Sequence, residues 1–76
     1  MKQLKRITLD PGMMGGKPCI RGSRVTVGMI IGLLASGYSH EEILKMYSYL
    51  AEEDIKEALR YAVWRTEELD APLVTV

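Results

Sequence analysis

Residues 15–27 constrain this chain more than any other stretch, because they combine residues that restrict the backbone with residues that carry positive charge. Three glycines within it reach backbone conformations closed to other residues, and Pro18 fixes one dihedral angle and removes one hydrogen-bond donor. Three cations, Lys17, Arg21 and Arg24, lie among these positions. We therefore predict a loop of defined shape that presents positive charge.

The chain has 76 residues and a single cysteine, Cys19. A domain of this size buries only about 60% of the surface of its unfolded chain, and so small a core rarely contributes more than about 3–5 kcal/mol. One cysteine can form neither an internal disulfide nor a cysteine-based zinc site. We therefore predict a single domain that is stabilised by association, as a homodimer or in a stable hetero-complex.

The cysteine content also bears on location. A chain without paired cysteines fits a reducing compartment, and no segment resembles a secretory signal. The longest apolar run, residues 27–35, is interrupted by glycines and is far shorter than the roughly 20 residues that a membrane span requires. We expect a cytoplasmic protein that does not cross a membrane.

Charge is distributed unevenly, although the formal net charge is zero. Residues 1–26 contain six lysines and arginines against one aspartate, a balance of +5, whereas residues 27–76 contain four against nine carboxylates, a balance of −5. This asymmetry indicates either an anionic partner for the basic segment or a solvated surface whose charges happen to segregate.

Alternating apolar and polar residues predict two short, half-buried strands, at residues 4–9 and 24–27. The turn residues Asp10, Pro11 and Gly12 follow the first strand. The loop over residues 10–23 is too long for a tight hairpin, and a loop of this length is usually functional or disordered. Its apolar residues favour order, because they can attach it to the core.

Three helices are predicted in the rest of the chain. The first runs from about residue 27 to 36 and stops at Gly37. The second starts at a capping box formed by Ser39 and Glu42 and reaches about Tyr47. The third runs from residue 52 to about 69, with one apolar face formed by Ile55, Ala58, Leu59, Ala62 and Val63.

Two features of these helices allow alternative interpretations. Gly28 and Gly32 share one face of the first helix; we expect them to pack tightly inside the monomer, and the alternative is a dimer seam. Trp64 lies beside the apolar face of the third helix, at the edge of the core or as an anchor for a partner. After Pro72, the apolar tail 73–76 folds back on the domain or adds as a strand to a neighbouring chain.

The sequence does not suggest an enzyme. Gly16 and Lys17 are reminiscent of a phosphate-binding P-loop, but Pro11 and Pro18 stand where that motif requires Gly and Ser or Thr. His40 has no second histidine and no cysteine nearby, so we interpret it as a surface residue rather than a metal ligand or a general base. We predict no catalytic residues, no metal and no cofactor.

The predicted elements give a mainly α fold: a small three-helix, helix-turn-helix domain with a short N-terminal β element. Residues 1–27 form a basic strand-loop-strand arm, residues 28–70 the three-helix body and residues 71–76 the tail. The third helix begins with Glu-Glu-Asp, which would repel the phosphates beside a DNA groove. If the domain binds DNA, the basic arm must therefore make most of the contacts.

A specific motif also links the chain to a known family. The run Gly16-Lys17-Pro18-Cys19-Ile20-Arg21-Gly22-Ser23-Arg24, followed by Leu33-Leu34-Ala35-Ser36-Gly37-Tyr38-Ser39 and by Tyr49-Leu50, resembles the domain-of-unknown-function 433 family over about residues 6–66. The departures are mild. Ala51 stands where the family usually has a capping threonine.

The resemblance implies a helix-turn-helix fold of the homeodomain-like class. For many members it also implies a role as the antitoxin of a bacterial toxin-antitoxin pair, whose proposed toxin is a PIN-like ribonuclease. The family offers no established catalytic residues to transfer to this chain.

These observations lead to one main hypothesis, a dimeric DNA-binding antitoxin whose acidic C-terminal half meets the toxin. Its predicted phosphate-binding residues are Lys5, Arg6, Lys17, Arg21 and Arg24. Its predicted partner-binding residues are Trp64, Leu73, Val74 and Val76. The alternative is a protein-interaction module that does not bind DNA and whose basic loop docks an acidic partner.

Overall fold

The computed structural model describes residues 4–69 of the chain. In order, its elements are β1 (Ile7–Leu9), β2 (Pro18–Ile20), α1 (Val27–Ala35), α2 (His40–Met46) and α3 (Glu52–Leu69), with one 3-10 turn at Met14–Gly16 between the strands. The predicted mainly α fold with a small N-terminal β element is thereby confirmed. The predicted tail at 73–76 lies outside the described residues.

The two strands form an antiparallel ribbon in which Ile7 pairs with Ile20 and Leu9 with Pro18. Of the first predicted strand, at residues 4–9, only Ile7–Leu9 is a strand, and the second predicted strand, at residues 24–27, is wrong. Only an isolated bridge between Cys19 and Thr26 occurs there. The apparent alternation does not exist in space, because residues 25–27 are all buried at the start of α1.

Hydrogen bonds at its two ends fix the limits of α1. Thr26 precedes the helix in an extended conformation, and its hydroxyl accepts the N–H of Met29 at 3.0 Å. At the other end Gly37 has a φ of +101°, and the N–H of Tyr38 donates to the carbonyl of Leu33 at 3.0 Å. This is a Schellman motif, which satisfies the last carbonyls of the helix and favours glycine at position 37.

The starts of α2 and α3 are capped differently. The predicted capping box is confirmed at α2, where Ser39 accepts the N–H of Glu42 at 3.0 Å and Glu42 accepts the N–H of Ser39 at 2.8 Å. At α3 the preceding Ala51 has no side chain that could cap, and Asp54 compensates by accepting the N–H of Ala51 at 2.7 Å.

The core lies where α1 packs on α3 and where α2 and the β-ribbon cover the remaining sides. Its buried apolar members are Ile7, Ile20, Val25, Val27, Ile30, Ile43, Leu50, Ile55 and Ala58. The apolar face predicted for α3 is only partly buried, because Leu59 and Val63 are exposed. No helix in the described part of the chain has the length and apolar character needed to cross a membrane.

Gly28 and Gly32 do not pack tightly inside the monomer, so that expectation is wrong. Both are exposed on α1. A Cβ atom added at Gly32 would meet nothing within 4 Å, and one at Gly28 would come no closer than 3.9 Å to the hydroxyl of Thr26. These glycines border a shallow depression together with Met29, Leu33 and Tyr47.

A candidate anion-binding groove

The five cations predicted to bind phosphate all lie on the β-ribbon and its flanking turns. Lys5 and Arg6 precede β1, Lys17 precedes β2, and Arg21 and Arg24 lie between β2 and α1. All five are exposed. Their placement follows from the short strands, which leave charged residues just outside the paired, buried positions.

A groove of about 410 Å³ brings three of these cations together beside the turn between α2 and α3. Its lining residues are Lys5, Arg6, Ile20, Arg21, Gly22, Ser23, Tyr49, Leu50 and Asp54. Lys17 and Arg24 do not line it. Three cations against one carboxylate leave the groove with a formal charge of +2.

Arg6 differs from the other predicted cations because its charge is already paired. Its Nη1 donates to Oδ1 of Asp54 at 3.0 Å, and its backbone N–H donates to Oε1 of Glu57 at 2.9 Å. The side chain of Asp54 is only 9% exposed, whereas that of Arg6 is 43% exposed. Arg6 therefore fastens β1 to α3, and Asp54 offsets its charge.

Arg21 is positioned by the ribbon. Its backbone N–H donates to the carbonyl of Arg6 at 2.7 Å and its Nε donates to the carbonyl of Lys5 at 2.8 Å. The next residue, Gly22, has a φ of +80°, a conformation that other residues adopt only with strain. These contacts hold the guanidinium of Arg21 against the turn that carries Lys5.

Most predicted cations have no anionic partner of their own. Within the side chains that the structure describes, neither Lys5, Lys17, Arg21 nor Arg24 has a carboxylate oxygen within 4 Å. Arg6 is the exception. Four cations thus remain available to an external anion.

Ser23 and Tyr49 line the groove but were missed as site residues by sequence reasoning. The Ser23 hydroxyl donates to the carbonyl of Ile20 at 2.9 Å and accepts the N–H of Val25 at 3.0 Å, so it shapes the turn. Tyr49 is 67% exposed. Tyr49 belongs to the motif that carries the family resemblance, and this membership was a signal that could have singled it out. Helix and strand periodicity cannot show that position 49 lies beside positions 5 and 21.

Two other sequence-level candidates lie apart from the groove lining. His40, at the start of α2, has its Nδ1 2.5 Å from Oε2 of Glu52 and thereby joins α2 to α3. Trp64 is half-buried, and its ring contacts Tyr61 edge-on at 5.8 Å between centroids. Among the side chains that the structure describes, those of residues 4–66, no three His, Cys, Asp or Glu cluster closely enough to hold a metal ion. Leu73, Val74 and Val76 lie beyond the described residues.

Comparison with known proteins supports the family resemblance suggested by the motif around the groove. The model of a family described as "Protein of unknown function (DUF433)" matches residues 7–62, which include both strands, α1, α2 and the first half of α3. The chain belongs to the DUF433 family.

Two relatives of this DUF433 chain are similar to it, one in sequence and one in structure. An uncharacterized protein of Sinorhizobium fredii, y4eO, is 38% identical over 56 residues, which are 74% of this chain and 25% of that protein. A crystal structure of a DUF433 member from Anabaena variabilis matches with a TM-score of 0.78 at 30% identity, covering 84% of this chain and 63% of the other. The chain therefore spans less than two thirds of either relative.

Proposed function

We propose that this DUF433 chain is a DNA-binding protein of the antitoxin type, whose basic arm contacts the phosphates of its operator. The observation that carries the proposal is the set of four exposed cations on that arm without a carboxylate partner among the described side chains. Cations in this state release condensed counterions when they meet a nucleic acid, and this release drives binding. Arg6 contributes less, because Asp54 offsets its charge.

The charge of α3 supports binding through the arm rather than by ordinary major-groove reading. In a helix-turn-helix the N-terminal turn of the second helix of the motif meets the base edges. Here that turn carries Glu52, Glu53 and Asp54. Carboxylates at this position would face phosphates, so the proposal assigns backbone contacts to Lys5, Lys17, Arg21 and Arg24 and no base reading to the start of α3.

The acidic body supports the second part of the proposal, a PIN-like ribonuclease as partner. Glu41, Glu42 and Glu53 are exposed on α2 and α3. Nuclease clefts are electropositive because they bind nucleic acid, so exposed carboxylates complement them. We propose that a homodimer presents this surface to the ribonuclease. Inhibition of the purified ribonuclease by the chain, weakened by reversing Glu41 and Glu53 to lysine, is the expected result.

A second candidate is a protein-interaction module that does not bind DNA. Leu59 and Val63 favour it, because they lie four residues apart on α3 and are both exposed. Apolar side chains at this spacing form a continuous strip to which a partner can bind. Neither candidate function requires catalysis, and we propose no enzymatic activity.

Fluorescence anisotropy with the duplex of the chain's own promoter tests the DNA part. If the four free cations of one protomer all engage phosphates, log Kd should change with log salt by about 3.6, and by about 7 for a dimer. Lys5→Ala and Lys17→Ala should each reduce this slope by about 0.9 per protomer, because each removes one phosphate contact.

Arg60→Ala is the matched control for these variants. Arg60 is an exposed cation on α3, outside the basic arm, so its replacement should leave the slope unchanged. Equal reductions of the salt slope in Arg60→Ala and Lys5→Ala would contradict binding through the basic arm. Absence of duplex binding at about 50 mM salt, where electrostatic attraction is strong, would favour the interaction module.

A further inference from the structure

Tyr49 is exposed to a degree that packing does not explain. It lies in the connection between α2 and α3, where the N–H of Leu50 donates to the carbonyl of Tyr47 at 2.9 Å and fixes the turn. The adjacent Leu50 is buried, whereas Tyr49 is 67% exposed. Its aromatic contact is edge-on to Tyr47, with 6.3 Å between ring centroids. The turn therefore holds an aromatic ring in solvent.

The groove beside this ring has three chemically different parts. Lys5 and Arg21 supply positive charge, and Tyr49 supplies an aromatic ring. The buried Ile20 and Leu50 form an apolar floor. Its volume of about 410 Å³ lies within the range of small-ligand sites, roughly 300–1,000 Å³. An anion attached to a flat ring whose faces can stack matches these parts, and a nucleotide has this composition.

Asp54 also lines the groove but does not exclude an anion from it. Its Oδ1 accepts Nη1 of Arg6 and its Oδ2 accepts the N–H of Ala51, so both oxygens already have donors. The paired charges of Asp54 and Arg6 leave those of Lys5 and Arg21 uncompensated.

We propose that this groove binds one unpaired nucleotide of a nucleic-acid strand, with its phosphate at Lys5 and Arg21 and its base stacked on Tyr49. The inference rests on the proposed nucleic-acid binding and specifies its site. A base inside a duplex is covered on both faces by its neighbours, so a projecting tyrosine can stack only on a base that has left the helix or belongs to a single strand. The groove therefore prefers single-stranded segments.

Titration of the full chain against two fluorescein-labelled probes tests this assignment: a single-stranded oligothymidine of about 15 nucleotides and a duplex of the same length. Tyr49→Ala should weaken binding of the single strand about 5- to 140-fold, the equivalent of roughly 1–3 kcal/mol per stacked base. Duplex affinity should change less than about twofold, because phosphate contacts remain. Tyr49→Phe should bind the single strand nearly as well as the unmodified chain, since the ring persists.

Two controls separate stacking from charge and from folding. Lys5→Ala should weaken both probes, because both carry phosphates. Thermal unfolding of Tyr49→Ala should match that of the unmodified chain, since the ring is mostly in solvent.

The possible outcomes distinguish this inference from the proposed function. Duplex binding that depends on Lys5, combined with single-strand binding that Tyr49→Ala leaves unchanged, overturns the nucleotide site alone. An equal loss for both probes in Tyr49→Ala also overturns it. Tyr49-dependent binding of the single strand without duplex binding supports the site and contradicts operator binding. Failure to bind either probe at about 50 mM salt overturns both.

Discussion

Replacing Asp54 with alanine tests how the β-ribbon is fastened to the helical body. The Asp54 carboxylate accepts one hydrogen bond from Arg6 at 3.0 Å and one from the N–H of Ala51 at 2.7 Å. The hydrogen bond to Arg6 joins positions 48 residues apart. The hydrogen bond to Ala51 caps α3, because Ala51 has no side chain that could do so. Asp54→Ala removes both while leaving the bond from the backbone of Arg6 to Glu57 in place.

The two hydrogen bonds contribute unequally. Arg6 is 43% exposed, so its guanidinium returns to water when the carboxylate is lost, and the pair is worth at most about 1 kcal/mol. The capping bond satisfies a helix N-terminus and is worth about 1–2 kcal/mol. We therefore expect the free energy of unfolding to fall by about 1–3 kcal/mol, which lowers Tm by about 4–24 °C in a domain of this size.

Urea unfolding followed by far-UV circular dichroism measures this change. Arg6→Gln should cost about 1 kcal/mol, and the double variant should reveal a coupling of about 0.5–1 kcal/mol between the two side chains. Glu53→Ala is the matched control, because it removes an exposed carboxylate from the same turn and should cost no more than about 0.5 kcal/mol. A loss for Asp54→Ala as small as that of the control would refute the structural role assigned here.

Three further substitutions test separate features. Gly32→Ala should raise the free energy of unfolding by up to about 1 kcal/mol in urea titrations, because a Cβ there meets open space; a loss of stability that grows with protein concentration would instead indicate a dimer seam on α1. Gly22→Ala should lower it by about 1–2 kcal/mol, purely through backbone strain at a φ of +80°, and Gly22→Asn should recover part of the loss. Ser39→Ala should cost about 1 kcal/mol by removing the cap of α2, with Ser36→Ala, on an exposed position, as the calorimetric control.

The helices could be predicted from sequence because their limits are set by local hydrogen bonds. Ser39 and Glu42 make their capping box within four residues, and Gly37 ends α1 through bonds to residues just before it. Such signals depend on neighbouring positions only. The predicted limits of all three helices accordingly agree with the structure to within a residue or two.

The β-ribbon and the groove could not be predicted in the same way. Residues 24–27 alternate like a strand, yet Thr26 is the cap of α1, and the true second strand begins at Pro18. The groove joins positions 5, 21 and 49, which no short pattern relates. The five cations were predicted from their charge alone, and the sequence does not show that Asp54 pairs with Arg6.

The hydrogen bond from the backbone of Arg6 to Glu57 affects the order in which the domain folds. The two positions are 51 residues apart, so the first strand cannot acquire its final contacts until most of the chain has left the ribosome. The hydrogen bonds within each helix are local and can form earlier, whereas closure of the ribbon onto the helices carries the entropic cost of a long loop. During synthesis the side chain of Arg6 is therefore exposed to the polyanions around it before Asp54 is available to pair with it.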